Sequence, residues 1–320
     1  MSLISIVLVL IVEQFHALPV KRVVRAPFIR LSEKVMQYFN DGEYQNGLLA
    51  WVLLAAGPSI CVLLASILLE SKYPFWGFML SLGVLYLTLG VRHFSNQFTA
   101  IQHALQFVEV ERARTLLASW RGRSGDRLSP SEIAGQAIAR GLDEAHQHVF
   151  APIFWFALLG PAGALLYRAA QLLDESWGRP WRASLGVADG GDSGRFGEFS
   201  RQAFVAIDWA PSRLTALAFA VAGDFEDAVQ CWRTQSDQTP EVDSAIVVAS
   251  GAGALGVRLS IVSSAVSAPV GSHGTITEFG LGDDPDSNSM QRAAAMVWRS
   301  LLLVLALLAL ILLSSWQMSF

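Results

Sequence analysis

The sequence contains few charged residues and almost no cysteine. Charged side chains make up 16% of the 320 residues, whereas soluble domains average about 25%. The formal net charge is −4, and the chain lacks the clustered basic surface that nucleic-acid binding needs. The two cysteines, Cys61 and Cys231, lie far apart and form no CxxC pair. A disulfide framework and a cysteine metal site are therefore excluded, and no nucleic-acid partner is expected.

Several enzyme signatures are also missing. The chain has no P-loop, no HExxH and no GxSxG motif, so P-loop NTPases and zincins are unsupported. The group closest to a metal site is Asp143, Glu144, His146 and His148. Residues two apart on a helix point to different sides, so the two histidines would not converge on one ion. We expect no metal site here.

Long apolar runs dominate what remains, since 52% of the residues are hydrophobic. A bilayer is crossed by about 20 mostly apolar helical residues. The sequence predicts four spans, at Gly47–Leu69, Phe75–Val91, Val149–Tyr167 and Leu301–Leu313. Two further runs, Leu3–Leu18 and Ala203–Val221, either span or lie in the interface. The predicted fold is all-α, a polytopic helical membrane protein with about four to six segments, in a bacterial-type inner (plasma) membrane.

The segment from Ala151 to Asp174 has an unusual composition for a helix. It contains Pro152, Gly160, Pro161 and Gly163, which weaken helices. Membrane helices tolerate such residues because neighbouring helices satisfy the freed backbone groups. We therefore predict a break near Gly160-Pro161, at a place that is buried in protein or lines a cavity. The small residues from 160 to 163 are expected to pack against another helix.

Basic residues predict the orientation of the chain. They concentrate in the loop after the first apolar run and in the loop that begins at Arg92, whereas the turn Ser71–Pro74 contains one lysine. Both loops should be cytoplasmic and the turn should lie outside. The sequence thus predicts one membrane domain over residues 1–320, with cytoplasmic helical insertions near 19–46, 92–148 and 222–298.

Local patterns predict structure within these insertions. His93–Trp120 has apolar residues at helical spacing. Ser129 or Ser131 can serve as the N-cap of the next helix, with Glu132 in its first turn. Gly186–Gly197 is predicted to be a flexible loop and Ser272–Ser289 a linker, since both are rich in glycine and small polar residues.

A series of short motifs resembles the CobD/CbiB superfamily of membrane proteins. The motifs are ARTLLASWRGR (Ala113–Arg123), APIFW (Ala151–Trp155), GPAGALLYRA (Gly160–Ala169), LLD (Leu172–Asp174), DWAPSRLTAL (Asp208–Leu217) and GALGVRL (Gly253–Leu259). The resemblance implies adenosylcobinamide-phosphate synthase activity in cobalamin biosynthesis, which joins an aminopropanol-type amine to adenosylcobyric acid with ATP and Mg²⁺. Ser2–Leu18 and Asp208–Trp232 are similar to AmpE, an inner-membrane protein linked to β-lactamase induction.

The chain departs from the acidic pattern of the synthases. Where that pattern has Glu, Glu-Asn and Asp-Gly, this sequence has Ala139, then Asp143 and Glu144, then Gln147 and His148. These departures imply a degenerate synthase site and an AmpE-like signalling or accessory role. The alternative is a working synthase.

The polar residues retained within the motifs are the candidate ligand-binding set, namely Arg114, Arg123, Asp174, Asp208 and Arg213. Three of the five are arginines, which suit bidentate contacts to phosphate or carboxylate. The expected partners are the lipid bilayer and a corrinoid or another anionic small molecule. Alternative roles for these residues are a solvated basic helix, a helix-end carboxylate and a structural ion pair. No catalytic residue is assigned, and no cofactor is expected unless the synthase alternative holds.

Overall fold

The structure, a computed structural model, describes residues 2–15, 24–39, 43–121, 128–179, 195–236, 244–263 and 275–317. These residues are mostly helical. The α-helices are α1 (Ser2–Phe15), α2 (Ala26–Phe39), α3 (Tyr44–Trp51), α4 (Gly57–Lys72), α5 (Pro74–Thr88), α6 (Val91–Gln106), α7 (Val110–Arg121), α8 (Pro130–Ala145), α9 (Ala151–Leu173), α10 (Phe196–Ala222), α11 (Phe225–Gln235), α12 (Ala245–Leu255) and α13 (Ser287–Gln317). One antiparallel hairpin joins β1 (Leu259–Ser263) to β2 (Thr275–Phe279).

Four helical segments are long and apolar enough to cross a membrane: Tyr44–Lys72, Pro130–Gly178, Phe196–Ala222 and Ser287–Ser314. This agrees with the predicted fold class, an all-α polytopic membrane protein. The segment at Phe196–Ala222 contains the run that the sequence left between spanning and interfacial. The predicted span Phe75–Val91 is shorter than expected, because α5 ends at Thr88 after 15 residues. Residues 16–18 of the first predicted run lie outside the described residues.

The chain divides into two compact units. The first contains Met1–Gly90 and Ala151–Pro211. Its core is built mainly from small and aromatic side chains of α3, α9 and α10, with Trp51, Tyr167, Trp177, Phe196 and Phe204 as the large members. Gly47 is required in this core, because a Cβ there would lie 2.1 Å from the carbonyl oxygen of Phe196.

The predicted break in α9 is confirmed. Gly160 has φ 65° and ψ −153°, which is outside the helical region, and Pro161 follows it. A Cβ on Gly163 would lie 2.3 Å from the carbonyl oxygen of Trp155 and 2.8 Å from the Cβ of Leu159. Those atoms belong to the preceding half of α9. The small size of Gly163 is therefore needed by the kink itself, and the packing of the face from 160 to 163 against another helix stays a prediction.

Within the described ranges, short π-helical turns interrupt the helices at Val52–Ala56, His146–Phe150 and Asp174–Gly178. The sequence did not predict them. A π-helical turn contains one residue more than an α-helical turn. Side chains on either side of it therefore lie on different faces than they would in an uninterrupted α-helix. Asp174 of the LLD motif lies in the third of these turns, and Asp143 and Glu144 lie just before the second.

The second unit contains Val91–Phe150, Ser212–Ser264 and the C-terminal helix. The helix predicted over His93–Trp120 is two helices, because α6 ends before Val108, which has φ 60°. The predicted N-cap is confirmed at Ser129, which forms a reciprocal capping box with Glu132. The predicted linker Ser272–Ser289 is wrong in part, since it contains β2 and the first turn of α13. Gly186–Gly194 lies outside the described residues.

Candidate functional site

The predicted ligand-binding residues divide between the two units. Arg114 and Arg213 lie in the second unit, and Asp174 and Asp208 lie in the first. Arg114 donates from Nε to the carbonyl oxygen of Leu128 at 2.8 Å and also pairs with Glu111. These contacts tie α7 to the segment that precedes α8, as a structural residue would. Arg123 lies outside the described residues.

Asp174 is fully buried in the first unit and pairs with two arginines. Its Oδ2 accepts from Nη1 of Arg201 at 3.1 Å and lies 3.4 Å from Nε of Arg179. A Cβ on Gly178 would lie 2.3 Å from Asp174 Oδ1, so glycine leaves room for the carboxylate. Two guanidinium groups therefore hold this carboxylate in place. Nearby, Arg25 pairs with Glu175 at 2.9 Å.

Asp208 is buried in α10, and its Oδ1 accepts from the Tyr167 hydroxyl of α9 at 2.9 Å. The contact joins two motifs, GPAGALLYRA and DWAPSRLTAL, within the first unit. Arg213 is half-buried on the same helix, in the second unit. Asp174 pairs with two arginines, whereas Asp208 contacts a tyrosine hydroxyl, so the two carboxylates have different surroundings.

A second group of buried polar side chains lies where α8 passes into the π-helical turn His146–Phe150. We call it the α8 polar cluster, consisting of Trp120, Arg140, Asp143, Glu144, Gln147 and Ser244. Its centre is Glu144, which is buried. Glu144 Oε1 accepts from Trp120 Nε1 at 3.1 Å and from Arg140 Nε at 2.8 Å. Glu144 Oε2 is buried and has no hydrogen-bond partner among the described residues.

Asp143 completes the α8 polar cluster on a neighbouring side of the helix. Its Oδ1 accepts from Gln147 Nε2 at 2.7 Å and from the Ser244 hydroxyl. His146 contacts a different helix, with Nδ1 2.9 Å from Oγ1 of Thr215. The cluster therefore has a half-exposed arginine at its edge and one buried carboxylate oxygen with free acceptor capacity.

The described residues of the α8 polar cluster form no complete metal site by themselves. Mg²⁺ takes oxygen ligands in octahedral geometry and is usually held by one or two carboxylates together with phosphates and water. Within the part of the chain that the structure describes, no group of three His, Cys, Asp or Glu side chains could hold a metal ion. Asp143 and Glu144 are adjacent on a helix, and each is hydrogen-bonded to different partners. We therefore assign no step to a metal.

Sequence reasoning missed most of the α8 polar cluster. Asp143 and Glu144 were considered as metal ligands and as departures from an acidic pattern, and Gln147 only as such a departure. Arg140 and Glu144 are four apart on a helix, a spacing that favours ion pairing and could have identified that contact. No sequence signal pointed to Ser244, which is 101 residues from Asp143.

The fold and these clusters define a class of protein, namely a helical membrane protein with buried polar groups beside breaks in its helices. A family model described as CobD/Cbib protein matches residues 4–297. The chain therefore belongs to the CobD/CbiB family. The AmpE resemblance of the terminal segments has no counterpart in these comparisons.

Individual relatives agree with this family. The chain is 30% identical over 279 residues to "Cobalamin biosynthesis protein CobD" of Stutzerimonas stutzeri, covering 85% of each chain. It is 30% identical over 261 residues to the protein of that name from Chromobacterium violaceum, covering 79% of this chain and 78% of the relative. A relative from Mycobacterium tuberculosis is 31% identical over 167 residues, half of each chain. No solved structure is matched.

Proposed function

We propose that this protein is a membrane synthase of cobalamin biosynthesis, which uses ATP as a co-substrate to activate a corrinoid carboxylate and joins it to an aminopropanol-type amine, with the phosphate derived from ATP as the leaving group. The observation that carries the proposal is the family match over residues 4–297, together with relatives of that name that align over most of their length. This favours the synthase, which the sequence had left as the alternative. The AmpE-like signalling role rests on the terminal segments and on the altered acidic positions, and the comparisons do not support it. We place the protein in the inner membrane, crossed several times.

The α8 polar cluster has groups suited to amide formation. An amine becomes nucleophilic when an acceptor takes or holds its proton, and Glu144 Oε2 is a buried acceptor. Negative charge that develops on an acyl oxygen is stabilised by a fixed donor, and Arg140 beside Glu144 carries such a charge. We assign to Glu144 the role of binding the amine or its proton, and to Arg140 the role of countering the developing charge.

Complementation tests the proposal. The gene is expressed in a bacterial strain that lacks its own synthase, and cobinamide-dependent growth is scored. The wild-type chain should restore growth, whereas Glu144→Gln should not, because an amide oxygen is a weak proton acceptor. The matched control is Glu109→Gln, which removes an exposed carboxylate that pairs with Arg112 in the same unit.

Each outcome has a distinct meaning. Failure of the wild-type chain, with normal membrane levels, would contradict the synthase and favour an accessory role. Growth with Glu144→Gln equal to the wild type would keep the synthase but remove Glu144 from its site. Membrane levels of both variants are measured by immunoblot, so that a loss of folded protein is not counted as a loss of activity.

A further inference from the structure

A cavity of about 360 Å³ lies in the first unit at the break in α9. Helices α1, α4, α5 and α9 form its walls. The residues that line it include Ser5, Glu70, Phe78, Ser81, Phe156 and Gly160. Its volume is in the range of small-molecule pockets. None of its lining residues belongs to the α8 polar cluster. Non-helical backbone at membrane depth is tolerated where it lines such a cavity.

The polar groups that line this cavity are mainly hydrogen-bond acceptors. Glu70 is the charged residue among those that line it, and it forms no ion pair or hydrogen bond with another described residue. Pro161 has no N–H, which deprives the carbonyl oxygen of Ala157 of its usual helical partner. The first half of α9 also ends here, and the C-terminal end of a helix carries partial negative charge. The hydroxyls of Ser5 and Ser81 can accept as well as donate.

Glu70 is fixed by the packing of α4 on α5. A Cβ on Gly77 would lie 2.9 Å from Glu70 Cγ and 3.2 Å from its backbone nitrogen. Only glycine at 77 lets the base of the Glu70 side chain lie against α5. This contact places the base of the Glu70 side chain against α5, beside the cavity that Glu70 lines.

Aromatic residues beside the cavity lead us to infer that its opening lies near the lipid headgroups. The adjoining turn exposes Tyr73, Phe75 and Trp76, and aromatic residues of this kind concentrate at membrane interfaces. A carboxylate that has no ion-pair partner among the described residues suits a lipid headgroup that carries an ammonium.

We propose that this cavity binds the headgroup of a zwitterionic lipid with a primary ammonium, as in phosphatidylethanolamine. The ammonium contacts Glu70, the charged residue of the cavity lining. The apolar walls formed by Phe78 and Phe156 receive the glycerol end of the lipid, and the acyl chains run along the exposed apolar surface of α4 and α5. The lipid then fills the space beside the broken helix.

Native mass spectrometry of the full chain, released from detergent with added lipids, tests the proposal. Phosphatidylethanolamine should be retained in preference to phosphatidylglycerol with the same acyl chains. Glu70→Gln should weaken this retention roughly tenfold, as expected for loss of one charge-assisted hydrogen bond. Glu70→Lys should reverse the preference towards phosphatidylglycerol. Glu43→Gln, an exposed carboxylate of the same unit, is the matched control and should behave like the wild type.

Glu70 is exposed, so neither substitution at this position should impair folding, and the thermal midpoint of each variant checks this. Equal retention of phosphatidylethanolamine by the wild type and Glu70→Gln would overturn the proposal. Displacement of the lipid by free ethanolamine at the same concentration would also overturn it, because the site would then recognise a soluble amine. The proposal is independent of the synthase, since the readout is lipid binding and not growth.

Discussion

At the scale of single residues, α6 ends on a valine in the left-handed region. The N–H of Val108 donates to the carbonyl of Leu105 and the N–H of Glu109 to that of Ala104, the pattern of a Schellman cap. The same pattern closes α12, where Gly256 occupies the corresponding position with φ 63°. Val108 is 80% exposed, so its side chain gains little packing in return for the strain.

Val108→Gly should therefore raise the free energy of unfolding by roughly 0.5–1 kcal/mol, the strain relieved less the extra freedom of glycine when unfolded. The measurement is the thermal midpoint of the protein in detergent. Thr115→Gly, at an exposed position inside α7, is the control and should lower stability by about 1 kcal/mol. A lower midpoint for Val108→Gly would show that the valine side chain contributes more than its exposure indicates.

Asp174 can be tested as an anchor or as a ligand residue. Asp174→Ala leaves Arg179 and Arg201 without their carboxylate, and breaking such a pair costs roughly 3–5 kcal/mol. We expect less folded protein by size-exclusion chromatography. Glu175→Gln removes a carboxylate whose partner Arg25 is more exposed, and should cost under about 1 kcal/mol. Normal folding of Asp174→Ala with lost complementation would make Asp174 a ligand residue instead.

At the scale of helices, the kink in α9 leaves no room for a side chain at position 163, which Gly163 occupies. Gly163→Leu should separate the two halves of α9 and lower the thermal midpoint, since overpacking costs roughly 1–3 kcal/mol or more. Gly83→Leu is the control, because a Cβ at Gly83 meets nothing within 4 Å. Equal midpoints for the two variants would indicate that the kink can open at no cost.

The N-terminus of α13 should be sensitive to acid. Asp286 accepts from the hydroxyl and the backbone N–H of Ser289, both at 2.7 Å, and these hydrogen bonds hold the pKa of Asp286 below its ordinary value of 3.8. Because the folded pKa is lowered, the stabilisation is complete at neutral pH and is lost as the pH falls from the ordinary value through the folded one.

In Asp286→Asn, the thermal midpoint should fall less between pH 5 and pH 3 than it does in the wild type. At neutral pH the substitution should lower the free energy of unfolding by up to about 1 kcal/mol. Asp284→Asn changes an exposed carboxylate that pairs with Arg258 and serves as the control. An unchanged acid dependence in Asp286→Asn would mean that other carboxylates govern the acid response.

Local chemistry explains which features were predictable. The break at Gly160-Pro161 and the cap at Ser129 follow from residues that act on their own backbone, so the sequence alone was sufficient. The π-helical turns were not predictable, because packing determines where an extra residue is inserted. Arg201, one partner of Asp174, is 27 residues away, and Ser244, one partner of Asp143, is 101 residues away, so only the fold brings these pairs together. The hairpin was missed because glycine-rich composition does not distinguish a linker from a turn.

At the scale of the whole molecule, orientation in the membrane remains the main prediction. Ser32 is unsuitable for labelling because it is buried, whereas Lys34, Ser71 and Ser119 are exposed. In a Cys61→Ser background, Lys34→Cys and Ser119→Cys should react with a membrane-impermeant maleimide only after cell lysis. Ser71→Cys should react in intact cells. The reverse pattern would invert the topology.

The short length of α5 has a consequence for the surrounding bilayer. Its 15 residues rise about 22 Å, whereas a relaxed hydrocarbon core is about 30 Å thick. If α5 crosses the membrane, the lipid beside it must thin locally, or the polar turn that precedes it must be drawn inward, and such hydrophobic mismatch costs a fraction of a kcal/mol per Å. Short or unsaturated acyl chains reduce that cost. Membrane thickness, and not only sequence, therefore helps to determine where this protein is stable.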